Sequence, residues 1–366
     1  MEADLILWLS VLTALAFAFT NGFHDTANAV ATSVSTRAMS PRAAVALSAV
    51  LNFAGAFVSL QVAATIADGI VDASLVTPAI VFSGLVGAIA WNLATWYHGL
   101  PSSSSHALIG GVIGAALLAE GRGAVRGAEL IAVVVVPALV APLLAVAVAG
   151  ASIVAAYGIV GRLRRAPAMR GFRYGQVLSS AMFSFSHGTA DAQKTMGVIF
   201  LALIASGTLG EGDSVPAWVV VSAALALALG TYAGGWRIVR TLGTRIITMD
   251  PAQGFVAQGS GAAVILAASH MGFPLSTTHV ISGAVTGAGA AKRLSAVRWG
   301  LAGNILIAWV LTLPAAALVG ACTYLVVQIL GEDAIGPFAV AGALLAGLAY
   351  ALARRLQAGR TLTADR

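Results

Sequence analysis

The stretch Gly99-Leu-Pro-Ser-Ser-Ser-Ser-His106 recurs near the C-terminus as Gly272-Phe-Pro-Leu-Ser-Thr-Thr-His279. A constant offset superposes Pro101 on Pro274, Ser103 on Ser276, Ser104 on Thr277, Ser105 on Thr278 and His106 on His279. The register holds onward through Gly110/Gly283 and Gly114/Gly287. Each copy cuts a long apolar tract with proline, glycine and clustered hydroxyls. In a bilayer, such backbone is tolerated only where protein buries it or where it lines a watery cavity. Interruptions at matching positions of two halves point to the substrate site of a transporter.

Composition agrees. Hydrophobic residues make up 59% of the 366 and charged residues 9%, with mean hydropathy +0.91; an ordinary soluble domain is about 25% charged. An all-α polytopic membrane protein follows. The first apolar segment, Leu5 to Phe19, comes after Glu2 and Asp4 rather than a basic stretch, so it is expected to stay as a transmembrane helix. The net charge of +6 sits in short loops, which reads as membrane orientation rather than nucleic-acid binding. The single Cys322 lies in an apolar run and reads as a small buried hydrophobe.

Apolar segments of spanning length run at 5–36, 42–66, 79–97, 128–160, 176–206, 215–236, 253–271, 299–330 and 336–353. The stretches 99–118 and 272–290 are too rich in Gly and Ser/Thr for plain spans and are read as re-entrant hairpins. Segment 128–160 either crosses once or breaks at Pro137 and Pro142. In the first half, the loop after the first segment is basic (Arg37, Arg42). In the second half, the basic cluster Arg162, Arg164, Arg165, Arg170 and Arg173 precedes the matching segment, and Arg237, Arg240 and Arg245 follow the next one. The positive-inside rule then gives two repeats of inverted topology. The expected units are 1–160, a basic cytoplasmic linker 161–175, and 176–366.

Of the 14 acidic residues, only Asp25 and Asp191 fall well inside apolar segments, where ionisable groups are costly and functional by default. An offset of 166 aligns Gly22/Gly188, Asp25/Asp191 and Asn28/Lys194, each set expected to break its helix. A carboxylate, an amide and carbonyls freed at such a break would form an oxygen cage for a small cation or a proton. Asp25 and Asp191 are also the candidate metal ligands. His24 and His187 flank them as proton partners, histidine being the side chain that titrates near neutrality. Lys194 pairs with Asp191 on one helix face, supplies positive charge to an anion, or does both. The hydroxyl clusters Ser103, Ser104, Ser105 and Ser276, Thr277, Thr278 suit an oxyanion, because a tip that turns into a helix also offers free N–H groups and the positive dipole end. His106 and His279 are expected to orient the tips. Asn92 and Gln258 are polar groups in the segments leading into them.

At these residues the chain resembles the inorganic phosphate transporter (Pit) family. The likeness lies in Asn21-Gly-Phe-His-Asp-Thr-Ala-Asn-Ala-Val-Ala-Thr32, Trp91-Asn-Leu-Ala-Thr-Trp96, Gly99–His106, Ser186-His-Gly-Thr-Ala-Asp-Ala-Gln-Lys194, Pro274-Leu-Ser-Thr-Thr-His279 and Ala308–Ala315, in order over nearly the whole chain. It is most similar to the bacterial low-affinity, proton-coupled branch. The resemblance implies phosphate at the two hydroxyl-rich tips, with Asp25, Asn28 and Asp191 near coupling cations and Asn21 in the same motif. Two departures stand out. Ala190 replaces the family's usual Asn, removing an oxygen ligand, and the loop 207–214 lacks a large hydrophilic insertion.

The expected function is a secondary-active symporter in the inner membrane. It imports inorganic phosphate, free or as a metal complex, driven by protons; it is not an enzyme. The alternatives are a sulfate or other oxyanion permease of the same fold, or sodium coupling. No cofactor and no nucleic acid are expected; the partners are phosphate and membrane lipid, and a homo-oligomer is compatible. A Ser/His hydrolase is disfavoured because Ser105 and His106 are neighbours in sequence with no activating carboxylate.

Overall fold

The computed structural model describes residues 2–160, 165–210, 212–332, 335–347 and 349. Among them there is no β-strand, only an isolated bridge between Val71 and Val125. The first half runs α1 (Glu2–Ser35), α2 (Pro41–Gly55), α3 (Gln61–Gly69), α4 (Pro78–His98) and α5 (Ser104–Glu120). A short α6 (Gly127–Leu130) and a π-helical turn, Ile131–Val135, lead into α7 (Val136–Val160). The second half runs α8 (Arg165–Ala205), α9 (Ala217–Ala233), α10 (Trp236–Arg240), α11 (Pro251–His270), α12 (Thr277–Ala290) and α13 (Trp299–Leu330). A further apolar helix covers Ile335–Gly347.

Hydroxyl and carboxylate caps set many of the starts. Ser40, Thr77, Ser103 and Ser276 accept from the N–H three residues on, and Asp250 forms a capping box with Gln253 before α11. Five described helices are long and apolar enough to cross a membrane, six if α9 and the Trp236–Arg245 stretch, bent by 58°, count as one span. With large apolar side chains exposed along α7 and α13 (Leu139, Leu143, Val310, Leu318), this is a multi-pass membrane protein. Cys322 is exposed on α13, not buried as its surroundings suggested: a helix that is apolar all round gives no sequence sign of which face meets lipid.

Several boundaries differ from the sequence reading. Neither Asp25 nor Asp191 sits at a break; α1 and α8 run unbroken through them over 34 and 41 residues. The motif glycines instead admit close helix crossings. A Cβ on Gly22 would lie 2.1 Å from the Leu227 carbonyl oxygen, and one on Gly188 would lie 2.1 Å from that of Asn52. The breaks fall in the next helix of each half: segment 42–66 parts between α2 and α3, and segment 215–236 ends at the Gly234–Gly235 bend before α10. Segment 128–160 stays one helix across Pro137 and Pro142, the π turn lying immediately ahead of the first proline. Of the stretch read as a linker, 165–175 is already α8, while 161–164 lie outside the described residues. Most of 348–353, the end of the last expected segment, lies outside them too.

Two apolar cores form, and both α1 and α8 pass from one to the other. From α1, Ile6, Val11, Ala14 and Phe17 join one core, and Ala27, Ala29, Val30 and Ala31 the second. From α8, Phe183 and Ala190 belong to the second core, and Ala192, Met196 and Ile199 to the first. Both helices thus change core beside their carboxylate, in opposite chain directions. The interval between the cores is where the polar residues gather.

Candidate functional site

Each tip begins after a glycine in the left-handed conformation, Gly99 (φ 67°) and Gly272 (φ 76°), where an L side chain would be strained. The chain then runs through the proline to a serine N-cap. Ser103 Oγ accepts from His106 N–H at 3.1 Å, and Ser276 Oγ from His279 N–H at 3.3 Å. Both oxygens are therefore engaged in capping, while their hydroxyl protons stay free to donate. The first-turn N–H groups of Ser104, Ser105, Thr277 and Thr278 have no intrahelical acceptor, so both helices aim their positive ends at the tips. All six hydroxyl residues are buried.

The carboxylate helices hold the opposite tips. From α1, Asn28 donates to Thr278 Oγ1 at 2.9 Å and reaches Thr277 Oγ1 at 3.4 Å, while Thr278 donates to Asp25 Oδ1 at 3.3 Å. From α8, Lys194 donates to Ser105 Oγ, to the Leu275 carbonyl at 2.7 Å and to Asp191 Oδ1. Those three contacts use every ammonium proton. Lys194 therefore pairs with Asp191, one of its two expected roles, and also reaches both tips. Thr277 donates to Asp191 Oδ2 at 3.4 Å. Acceptor oxygens of Asp25 and Asp191 and a nitrogen of His187 all lie within 4.8 Å of one another, fully buried, so the set has the donor count and spacing of a cation site.

Hydrogen-bond direction fixes what each imidazole offers. Thr231 sends its proton to the Leu227 carbonyl at 2.9 Å, so it accepts from Asn52 Nδ2 at 2.8 Å. Asn52 therefore turns its oxygen to His187 Nδ1, 3.2 Å away, and that nitrogen must donate. His187 Nε2 is left 3.0 Å from Asp191 Oδ2, close but not at hydrogen-bond geometry. In the first half, Thr95 donates to the Trp91 carbonyl at 2.9 Å and accepts from Ser102 at 2.8 Å, and His24 Nε2 lies 3.1 Å from the same Thr95 oxygen. His24 Nδ1 then faces Asp25 Oδ1 at 2.7 Å. Each half thus sets an imidazole beside its carboxylate, His24 against Asp25 and His187 against Asp191.

Several candidates have buried polar atoms without a protein partner: both side-chain atoms of Asn21 and Asn92, Ser104 Oγ and Gln258 Oε1. Buried groups of this kind call for a water, ion or ligand. Gln258 Nε2 donates to the Ala29 carbonyl at 2.7 Å, tying α11 to α1. His106 and His279 meet edge to face, centroids 4.8 Å apart, and His279 stacks on Trp309 at 3.9 Å. They thus pack the two tip helices together, by ring contact rather than through loop backbone. Asn52 and Thr231 escaped the sequence reading, and Thr95 and Ser102 carried no role of their own within the Trp91–Trp96 and Gly99–His106 motifs. Asn52, a lone amide inside an apolar segment, carried the same signal as Asn92.

The model of the "Phosphate transporter family" matches residues 21–320. A probable low-affinity inorganic phosphate transporter of Mycobacterium bovis is 54% identical over 327 residues, covering 89% of this chain and 78% of that protein. One of Bacillus subtilis is 43% identical over 336 residues, covering 89% and 99%. Among solved structures, a sodium-dependent phosphate transporter superposes with a TM-score of 0.80 at 27% identity, covering 88% of this chain and 99% of that one. The match takes in both carboxylate motifs and both tips, and the chain belongs to the phosphate transporter family, whose members are transporters and not enzymes.

Proposed function

We propose that the chain is a secondary-active symporter of the inner membrane, importing inorganic phosphate together with protons. It is built from two halves of inverted topology, 1–160 and 176–366, joined through the basic stretch 161–175. The observation that carries this reading is the crosswise hold on the tips: Asn28 of the first half on Thr278, and Lys194 of the second half on Ser105. Cation and anion sites then share hydrogen bonds, so occupancy of one changes the free energy of the other. The Ser104 hydroxyl and the first-turn N–H groups of Ser104, Ser105, Thr277 and Thr278 hold the phosphate oxygens. The Ser105, Thr277 and Thr278 hydroxyls turn to them from Leu275, Asp191 and Asp25. Ser103 and Ser276 contribute their free protons, and Lys194 supplies charge. Asp25, Asp191, His24, His187 and Asn28 form the coupling site, with Asn21, Asn92 and Gln258 as its polar margin.

Inverted topology is supported by the opposite order in which α1 and α8 pass through the two cores, and by the loop charges. The tips act as re-entrant hairpins meeting between those cores. Proton coupling is favoured by the His24–Asp25 pair, where a proton fills a 2.7 Å gap between nitrogen and oxygen, and by the imidazole of His187 beside Asp191, whereas hard cations prefer oxygen ligands. Sodium is the second reading, supported by the sodium dependence named for the structural relative. A metal–phosphate complex would use the same carboxylates. Uptake of labelled phosphate into proteoliposomes, with excess sulfate as competitor, tests the substrate. Phosphate uptake unaffected by sulfate is expected, and equal competition by sulfate would replace phosphate with a general oxyanion.

A further inference from the structure

A groove of ≈ 530 Å³ lies between α7, α12 and α13, away from Asp25 and Asp191, neither of which lines it. That size is ordinary for a small-molecule site, about 300–1,000 Å³. Its walls are apolar, and it opens sideways where Leu139, Leu143, Leu306 and Val310 are 56–69% exposed on the lipid face. No Lys, Arg, Asp or Glu lines it.

Its floor is polar and unpaired. His279 and Ser282 are 4% and 3% exposed, and both ring nitrogens of His279 and the hydroxyl of Ser282 lack a partner. Pro142 has no N–H to give the Ala138 carbonyl its helical donor. That carbonyl lies beside the His279 ring but not at hydrogen-bond geometry. Stacking on Trp309 holds the ring in place. In a hydrocarbon setting each such group is costly to leave unmade, so an occupant that supplies hydrogen bonds is strongly favoured. The imidazole offers one donor and one acceptor, serine offers both, and the carbonyl only accepts. A hydroxyl meets all three. A charged head group would find no counter-charge, and an alkane would leave the floor unsatisfied.

We propose that this groove binds an uncharged amphiphile carrying a hydroxyl, taken laterally from the bilayer. Its hydroxyl sits at His279, Ser282 and Ala138, and its apolar body lies along Leu139, Leu143 and Val310. The inference does not depend on the transport reading.

The test uses the full-length protein in nanodiscs and a long-chain alcohol with a photoactivatable diazirine in its chain, cross-links being mapped by mass spectrometry. Labelling is expected in 134–146 and 302–313, the lining stretches of α7 and α13. Dodecanol should compete, while dodecane and dodecanoate should not. Ser282→Ala should weaken competition by about tenfold, the loss of one hydrogen bond, and Leu139→Trp should block labelling. Equal competition by dodecane, or labels spread evenly over the exposed faces of both helices, would overturn the proposal. The wild-type competition decides the matter even if a variant fails to fold.

Discussion

The amide of Asn28 donates to Thr278 Oγ1 at 2.9 Å, and its counterpart in the other half, Lys194, donates to the matching residue Ser105. The two contacts occupy equivalent places in the repeat yet differ in chemistry. Asn28→Ala removes the neutral hydrogen bond to Thr278, worth about 0.5–1.5 kcal/mol, with the longer contact to Thr277. It should raise the half-saturating phosphate concentration about two- to tenfold and leave the thermal midpoint almost unchanged. Lys194→Met leaves Asp191 buried without its cation, a loss of about 3–5 kcal/mol, so it should lower the midpoint sharply. Thermal unfolding in detergent beside uptake separates the two; equal midpoints would remove the structural share assigned to Lys194.

Ser104 and Ser103 are neighbours with different commitments. Ser104 Oγ has no protein partner, while Ser103 caps α5. Ser104→Ala should weaken phosphate binding about ten- to hundredfold, the loss of a charge-assisted bond of about 1.5–3 kcal/mol, at no cost in stability. Ser103→Ala should cost about 1 kcal/mol of stability. Thr277→Ala should follow Ser104→Ala in binding. Normal uptake at limiting phosphate in both Ser104→Ala and Thr277→Ala would remove the tips as the anion site.

Asn52 directs the His187 ring from α2, with Thr231 behind it. Asn52→Leu frees the ring to take the other tautomer. Accumulation of phosphate under an imposed proton gradient should fall about tenfold, in line with one misdirected hydrogen bond, while equilibrium phosphate binding is kept. Parallel loss of binding and accumulation would make Asn52 a packing residue only.

At the start of α11, Asp250 receives Tyr157 OH at 2.6 Å and Lys292 Nζ at 3.0 Å. Burial works to raise its pKa, but the bonds from Tyr157, Gln253 N–H and Lys292 outweigh it and hold the carboxyl below its usual range. A lowered folded-state pKa adds stability above the ordinary carboxylate value of about 3.9, and that stability is lost as pH falls through the folded pKa. Asp250→Asn preserves the helix cap. The gap in thermal midpoint between wild type and variant should therefore be widest near neutrality and close in acid. A gap independent of pH would contradict the role of the charge.

The repeated tip was legible because its hydroxyls, proline and histidine keep one register through two apolar tracts, and few other constraints do that. The buried carboxylates were legible by their expense. The helix breaks were misplaced because Gly22 and Gly188 read as breakers, whereas their missing Cβ serves a neighbour's backbone. Periodicity cannot report such a crossing, since the partner helix is remote in sequence. The same limit hid Asn52 and Thr231, whose meaning lies in the direction of hydrogen bonds across three helices. The reach of Lys194 to the second tip was hidden because its partner there, the Leu275 carbonyl, is a backbone atom remote in sequence.

The proposed coupling ties cation occupancy at Asp25, His187 and Asp191 to phosphate held at the tips. The most direct measurement is uptake of labelled phosphate into sealed vesicles under a proton gradient or a sodium gradient, for wild type and Asp25→Asn. The account predicts concentrative uptake by wild type under the proton gradient, and loss of accumulation in Asp25→Asn while the variant folds and exchanges phosphate passively. Full-rate accumulation by Asp25→Asn under either gradient would contradict it.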